Sequence, residues 1–142
     1  IRDRATRLVG VDLSPRMLEV ARRGGGYDAL EAEDIEAYLA GTERAWDLVA
    51  LADVFPYLGA PTPWLAACSR VLAPGGRIAL STELTEQGDL VLGANGRYAH
   101  RPAALVRAAS ESGLVVVATR TLVLRREGDG GVPGALHVLG RA

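Results

Sequence analysis

Asp12, Asp34 and Asp53 each follow a short apolar run, and a carboxylate in that position has chemical uses. In an open α/β sheet, ligands bind beyond the carboxyl ends of the strands. An acid there can accept hydrogen bonds from both hydroxyls of a ribose, and charge-assisted bonds of this kind are strong. Asp12 has the clearest setting. Leu8, Val9 and Val11 make the run of a buried parallel strand, Ser14 is a good helix cap, and Pro15 suits the first helical position. Its other role would be as a partner of the helix dipole. Asp34 stands among Glu31, Glu33 and Glu36, where a solvated acid is the alternative. His100, close to Tyr98, is the natural proton acceptor near neutral pH. The competing readings of His100 are a surface histidine and a helix-start residue before Pro102. Arg97 and Arg101 could hold an acidic molecule, although solvated arginine is the commoner fate. His137 reads as structural within the last strand, and Cys68 as core rather than nucleophile. No His/Cys cluster has metal-ligand spacing. Every basic side chain is arginine, so a lysine base or Schiff base is excluded.

These groups need elements to position them. Helices are expected over Pro15–Arg23, Ile35–Leu39, Pro63–Leu72 and Pro102–Ser112. Gly24-Gly25-Gly26 stops the first and Gly113 the last. Beyond the strand ending at Val11, strands are expected at Ala29–Ala32, Trp46–Asp53, Arg77–Thr82, Leu114–Leu124 and Ala135–Leu139. The Trp46–Asp53 run is nearly continuous, as in a strand covered on both faces. An aromatic loop, Val54–Leu58, follows it. Pro74-Gly75-Gly76 reads as a tight turn, Glu83–Arg101 as a polar loop, and Glu127–Gly134 as the Gly-rich loop of a closing hairpin. Strand and helix alternate, so the fold class is α/β. The expected architecture is a Rossmann-like, doubly wound, mostly parallel sheet with helices on both faces and a C-terminal antiparallel hairpin.

Composition bounds the rest. One domain, 1–142, fits 142 residues, and 49% hydrophobic residues suffice for a core. A net charge of −1 without a basic stripe argues against nucleic acid as a partner. No apolar run approaches the roughly 18 residues of a membrane span. One cysteine excludes an internal disulfide, and a cytoplasmic location is the expectation.

Several segments together resemble the class I methyltransferases that use S-adenosylmethionine. Val11-Asp12-Leu13-Ser14-Pro15 with Met17-Leu18 resembles the family's second strand and helix, and Glu33-Asp34-Ile35 the acid-plus-apolar pair after its third strand. Asp47-Leu48-Val49 with Asp53 resembles the fourth strand, and Leu72-Ala73-Pro74-Gly75-Gly76-Arg77 the turn before the fifth. Phe55 with Gly96-Arg97-Tyr98-Ala99-His100 is similar to bacterial members associated with tetratricopeptide repeats. The resemblance implies S-adenosylmethionine as cofactor and a small-molecule or protein methyl acceptor. It implies that Asp12 holds the ribose, Leu13 and Met17 cover the adenine, and Asp34 and the Ile35 N–H meet its edge. Asp53 and Val54 would line the sulfonium side, Phe55 to Tyr57 would wall the acceptor pocket, and Tyr98 and His100 would act on the acceptor. Only Ile1 to Thr6 precede the run that opens at Arg7, so against the resemblance the family's first strand and Gly-rich loop are missing. That leaves strands two and four to pair directly, or a partner, such as a second copy in a homodimer, to fill the gap.

Three other readings stay open. One is a non-catalytic remnant or interaction domain of the same fold, no longer binding cofactor. Another is a nicotinamide-dependent oxidoreductase, which the Pro-Gly-Gly turn and terminal hairpin count against. The third is a phosphoacceptor receiver using Asp12 and Asp53, which usually needs a lysine that this chain lacks.

Overall fold

The computed structural model describes residues 2–128 and 130–142. The chain divides into two compact units, Ile1–Thr42 and Glu43–Ala142. The first holds β1 (Val9–Val11), α1 (Pro15–Gly24), β2 (Ala29–Glu31) and α2 (Ile35–Gly41). β1 and β2 pair in parallel, Val9 opposite Ala29. α1 starts where the sequence puts it. Ser14 Oγ accepts the Met17 N–H at 3.3 Å, Pro15 opens the helix, and Gly25 closes it at φ 69°.

The second unit holds β3 (Trp46–Leu51), a 3-10 turn (Phe55–Tyr57), α3 (Pro61–Arg70), β4 (Leu72–Leu84), β5 (Leu90–Leu92), β6 (Tyr98–His100), α4 (Pro102–Glu111), β7 (Leu114–Glu127) and β8 (Gly130–Arg141). They form one mixed sheet of order β5-β6-β4-β8-β7, with β3 also on β4. β4 is the organising strand. Antiparallel β8 runs along one edge, and parallel β3 and β6 share the other. α3 and α4 pack together, and α4 lies on β7. Phe55, Leu65, Cys68, Ile78, Ala109 and Leu139 are fully enclosed in this unit's core.

The α/β class and the closing hairpin are as expected, and several local expectations need correction. In the first unit β1 pairs with β2, and in the second β3 pairs with β4. Asp47, Leu48 and Ala50 are exposed, Leu48 to 42%, so this strand is not covered on both faces. α3 starts at Pro61 and ends at Arg70; Leu72 already belongs to β4. The segment 83–101 is no plain loop, because it carries the end of β4 and the β5–β6 hairpin. Most of Glu127–Gly134 is strand, since β7 and β8 stay paired from Leu114 to Glu127. Asp129, which falls in that expected loop, lies outside the described residues.

Pro74-Gly75-Gly76 is a kink inside β4 rather than a turn before it. Trp46 pairs with Leu72 and Leu48 with Arg77, so the extra residues of β4 bulge between them. A Cβ on Gly76 would sit 2.8 Å from the Trp46 carbonyl oxygen and 2.9 Å from that of Ala73. Both are backbone atoms that cannot swing aside. Gly76→Ala is therefore expected to cost about 1–3 kcal/mol, the usual range for overpacking. Urea unfolding of the two proteins measures it, and equal stability would show that the bulge relaxes.

Candidate functional site

In the first unit, Asp12 lies just past β1. Its N–H donates to Glu31 O at 3.2 Å, and its Oδ1 accepts the Ser14 N–H at 2.7 Å. One oxygen thus fixes the turn into α1, and the other has no partner among the described residues. The carboxylate is half-buried, which keeps its orientation defined while leaving it reachable. Beside it, Leu13 is 69% and Met17 54% exposed, and Leu18 is the helix's buried residue. Two apolar side chains left on the surface next to an oriented carboxylate suit a flat, apolar ring with hydroxyls at one end.

Asp34 ends the segment after β2, the parallel neighbour of β1, so both acids follow strand ends of like direction. Its Oδ1 accepts the Glu36 N–H at 2.8 Å and the Ala37 N–H at 3.2 Å, capping α2. It is therefore not merely a solvated acid; its second oxygen has no partner among the described residues. Ile35 carries the first N–H of the helix, one of those with no acceptor inside it.

The second unit assembles a different cluster at the carboxyl ends of β3 and β4. Asp53 is two residues past β3 and adopts φ 55°, the one left-handed residue other than glycine among those described. Its N–H donates to Ser81 Oγ at 2.8 Å, and its carboxylate takes the Nη2 of Arg97. Val54, next in the chain, is half-buried. Arg97 is far from the solvated arginine that is the commoner fate: it is 7% exposed. Its Nε donates to Glu83 and its Nη1 to the Tyr57 hydroxyl, with the guanidinium 4.5 Å from the Tyr57 ring centroid. Arg125 adds a second cation to Glu83 at 2.6 Å. Burial alone would raise the Glu83 carboxyl, but the hydrogen bonds from Arg97 and Arg125 outweigh it and hold it below its ordinary value.

β6 brings Tyr98 and His100 to the same loop. His100 is 1% exposed, beneath the loop rather than on the surface. It lies 5.5 Å from the Phe55 ring, and its Nε2 donates to the Gly59 carbonyl at 3.0 Å. That bond fixes the neutral tautomer and leaves Nδ1 as a buried acceptor without a partner among the described residues. Burial pulls the His100 pKa down, more than the Gly59 bond raises it. Gly59 takes φ 69° with the Tyr98 ring against it, 3.5 Å from where a Cβ would stand. The sequence leaves Arg97 a candidate for holding an acidic molecule, with solvated arginine the commoner fate, and does not single out Glu83.

The remaining candidates are structural. His137 bonds Thr82 Oγ1 and Thr119 Oγ1, each at 3.0 Å, between β4 and β7. Cys68 is fully buried, and burial pushes its thiol up to about 12, which keeps it protonated and inert. Among the described residues, no three His, Cys, Asp or Glu side chains are grouped to hold a metal, and no helix is long and apolar enough to cross a membrane.

Known proteins set this arrangement in context. Residues 1–80 match the family model described as "Methyltransferase domain". A ubiquinone biosynthesis O-methyltransferase of Thiobacillus denitrificans is 30% identical over 127 residues, covering 74% of this chain and 53% of its own length. A malonyl-[acyl-carrier protein] O-methyltransferase of Hahella chejuensis is 38% identical over 82 residues, covering 56% of this chain and 29% of its own length. The chain thus spans between about a third and half of the curated relatives it matches. Among solved structures, a Burkholderia thailandensis 1,6-didemethyltoxoflavin-N1-methyltransferase aligns over 95% of this chain and 61% of its own, with TM-score 0.74 and 18% identity. A SAM-dependent methyltransferase of Leishmania major aligns over 93% of this chain and 54% of its own, with TM-score 0.73 and 17% identity. On the match of more than half its length, the chain belongs to the class I methyltransferase-domain family, on a Rossmann-like fold.

Proposed function

We propose that the chain serves S-adenosylmethionine-dependent methyl transfer, and that Asp12 holds the cofactor ribose. The observation that carries this reading is the Asp12 carboxylate. One oxygen is fixed by Ser14, the other is unpartnered among the described residues, and exposed Leu13 and Met17 flank it. That donor set fits a nucleoside: an oriented acceptor for hydroxyls and an apolar cover for a base. Asp34 and the Ile35 N–H are the groups for the adenine edge. When bound, S-adenosylmethionine supplies a methyl group activated by its sulfonium.

The protein's task in such a transfer is alignment and exclusion of water, more than bond-making. Asp53 and Val54 line the sulfonium side in this reading, and Tyr57 walls the acceptor. His100 anchors the loop from beneath through the Nε2 bond to the Gly59 carbonyl, and in this reading it supports the acceptor wall. Tyr98 holds Gly59 in place beside it. The relatives named for O-methylation favour a hydroxyl or carboxyl oxygen as the acceptor atom.

Calorimetric titration with S-adenosylhomocysteine tests the reading. Saturable binding is expected, and Asp12→Ala should weaken it about 10- to 100-fold, the effect of losing a charge-assisted hydrogen bond. No binding by a folded chain would overturn the proposal. Binding that Asp12→Ala leaves unchanged would remove Asp12 from it.

A further inference from the structure

We propose that Arg97 is a positioning residue: from a buried seat it sets the Asp53 carboxylate and the Tyr57 ring, the two exposed groups that the loop after β3 offers a ligand. The inference rests on the methyl-transfer reading of that loop. The contrast in exposure is the starting point. The Arg97 side chain is 7% exposed, whereas those of Asp53 and Tyr57 are each 60% exposed. Burying a guanidinium is unfavourable, and apolar packing would stabilise a fold as well or better. The arrangement therefore calls for a purpose beyond holding the core together.

The three nitrogens of the fork supply that purpose. Nε binds Glu83 at the end of β4, the strand around which the sheet is built. With that side of the fork pinned to the sheet, Nη1 and Nη2 point at Tyr57 and Asp53. The guanidinium is planar, so fixing one side fixes the other two directions. Asp53 needs such a restraint. A non-glycine residue at φ 55° is costly unless its surroundings hold it there. Its restraints are the Ser81 hydroxyl on its N–H and Arg97 on its carboxylate. Without Arg97, the carboxylate and the tyrosine ring would sample many orientations, and a ligand would have to order them on binding.

The test compares S-adenosylhomocysteine affinity in the unaltered chain, Arg97→Gln, Asp53→Gly and the double variant, with hydrogen exchange over residues 53–59. Glycine accepts the left-handed backbone, so Asp53→Gly removes the carboxylate without adding strain. Arg97→Gln is expected to weaken binding at least about tenfold and to speed exchange in the loop by a similar factor. Because Arg97 acts through Asp53 and Tyr57 together, the double variant should bind more tightly than the product of the two single losses predicts. Gly76→Ala, destabilised in the sheet away from this loop, should change neither readout. Affinity of Arg97→Gln within about twofold of the unaltered chain would overturn the proposal, and so would losses that simply multiply in the double variant. If the unaltered chain does not bind S-adenosylhomocysteine, the methyl-transfer reading fails. Loop exchange then decides the clamp alone: faster exchange in Arg97→Gln upholds it, and unchanged exchange overturns it.

Discussion

Lowering the pH below 6.5 is expected to destabilise this protein well before its carboxylates protonate. Two histidines are responsible. His100 and His137 are 1% and 3% exposed, and burial lowers the pKa of both from the ordinary value of 6.5. For His137 the neighbouring His100 lowers it further. Above pH 6.5 both are neutral in folded and unfolded chains, and their contribution to stability is fully present. As the pH falls below that value, the unfolded chain takes up protons that the folded chain refuses, so stability declines until the depressed folded values are passed. Each histidine contributes a slope of about 1.4 kcal/mol per pH unit, so the pair reaches about 2.7. The Glu83 contribution fails only later, as the pH falls below its ordinary value of 4.5 and through its depressed folded value. Urea unfolding between pH 8 and 5 measures the slope, and histidine ring resonances of the folded protein report the protonation directly. A flat stability over that interval, or rings that charge at their ordinary pH while folded, would show that these sites admit water and protons freely.

The elements whose local chemistry is self-contained were legible in the sequence. α1 is specified by Ser14, Pro15 and the glycines after it, and its start needs nothing distant. The strand patterns of β4 and of the closing hairpin were legible for a similar reason: a run of apolar and β-branched residues has few other uses. What was not legible depended on pairing. β5 and β6 have three residues each, too few for a period to show, and they exist because β6 finds the end of β4. The exposure of β3 does not show in the sequence, because a nearly continuous apolar run suggests two covered faces.

The candidate site divides along the same line. Asp12, Leu13 and Met17 stand out in the sequence because strand, acid and cap are adjacent there. The buried ion pairs of Arg97 do not show in the sequence, because nothing near it there explains an arginine being buried. Its partners lie 14, 40 and 44 positions away. The burial of His100 does not show in the sequence, because the bond that fixes its tautomer runs to Gly59, 41 positions distant. A buried ionic network is a product of tertiary structure, and composition alone cannot announce it.

That network should be the most sensitive point of the second unit. Glu83→Ala is expected to cost about 3 kcal/mol, the lower end of the range for removing one partner of a buried pair. Glu83 is 8% and Arg97 7% exposed, so the guanidinium would keep its burial and lose its main counter-charge. The cost stays at the lower end because Asp53 still takes one nitrogen, and Arg125 can turn to Glu127, 2.6 Å away. Glu83→Gln, which retains an acceptor oxygen without the charge, should lose less. A third variant separates stability from positioning. Glu83→Leu combined with Arg97→Met removes both charges and fills the space with apolar atoms, which commonly restores or improves stability. Stability should return in that double variant, but tight binding of S-adenosylhomocysteine should not, because Asp53 and Tyr57 remain untethered. Urea unfolding and calorimetry on the same samples give both numbers. A loss under about 1 kcal/mol in Glu83→Ala would mean that water already reaches the network. Full recovery of binding along with stability would mean that Arg97 is only a packing element.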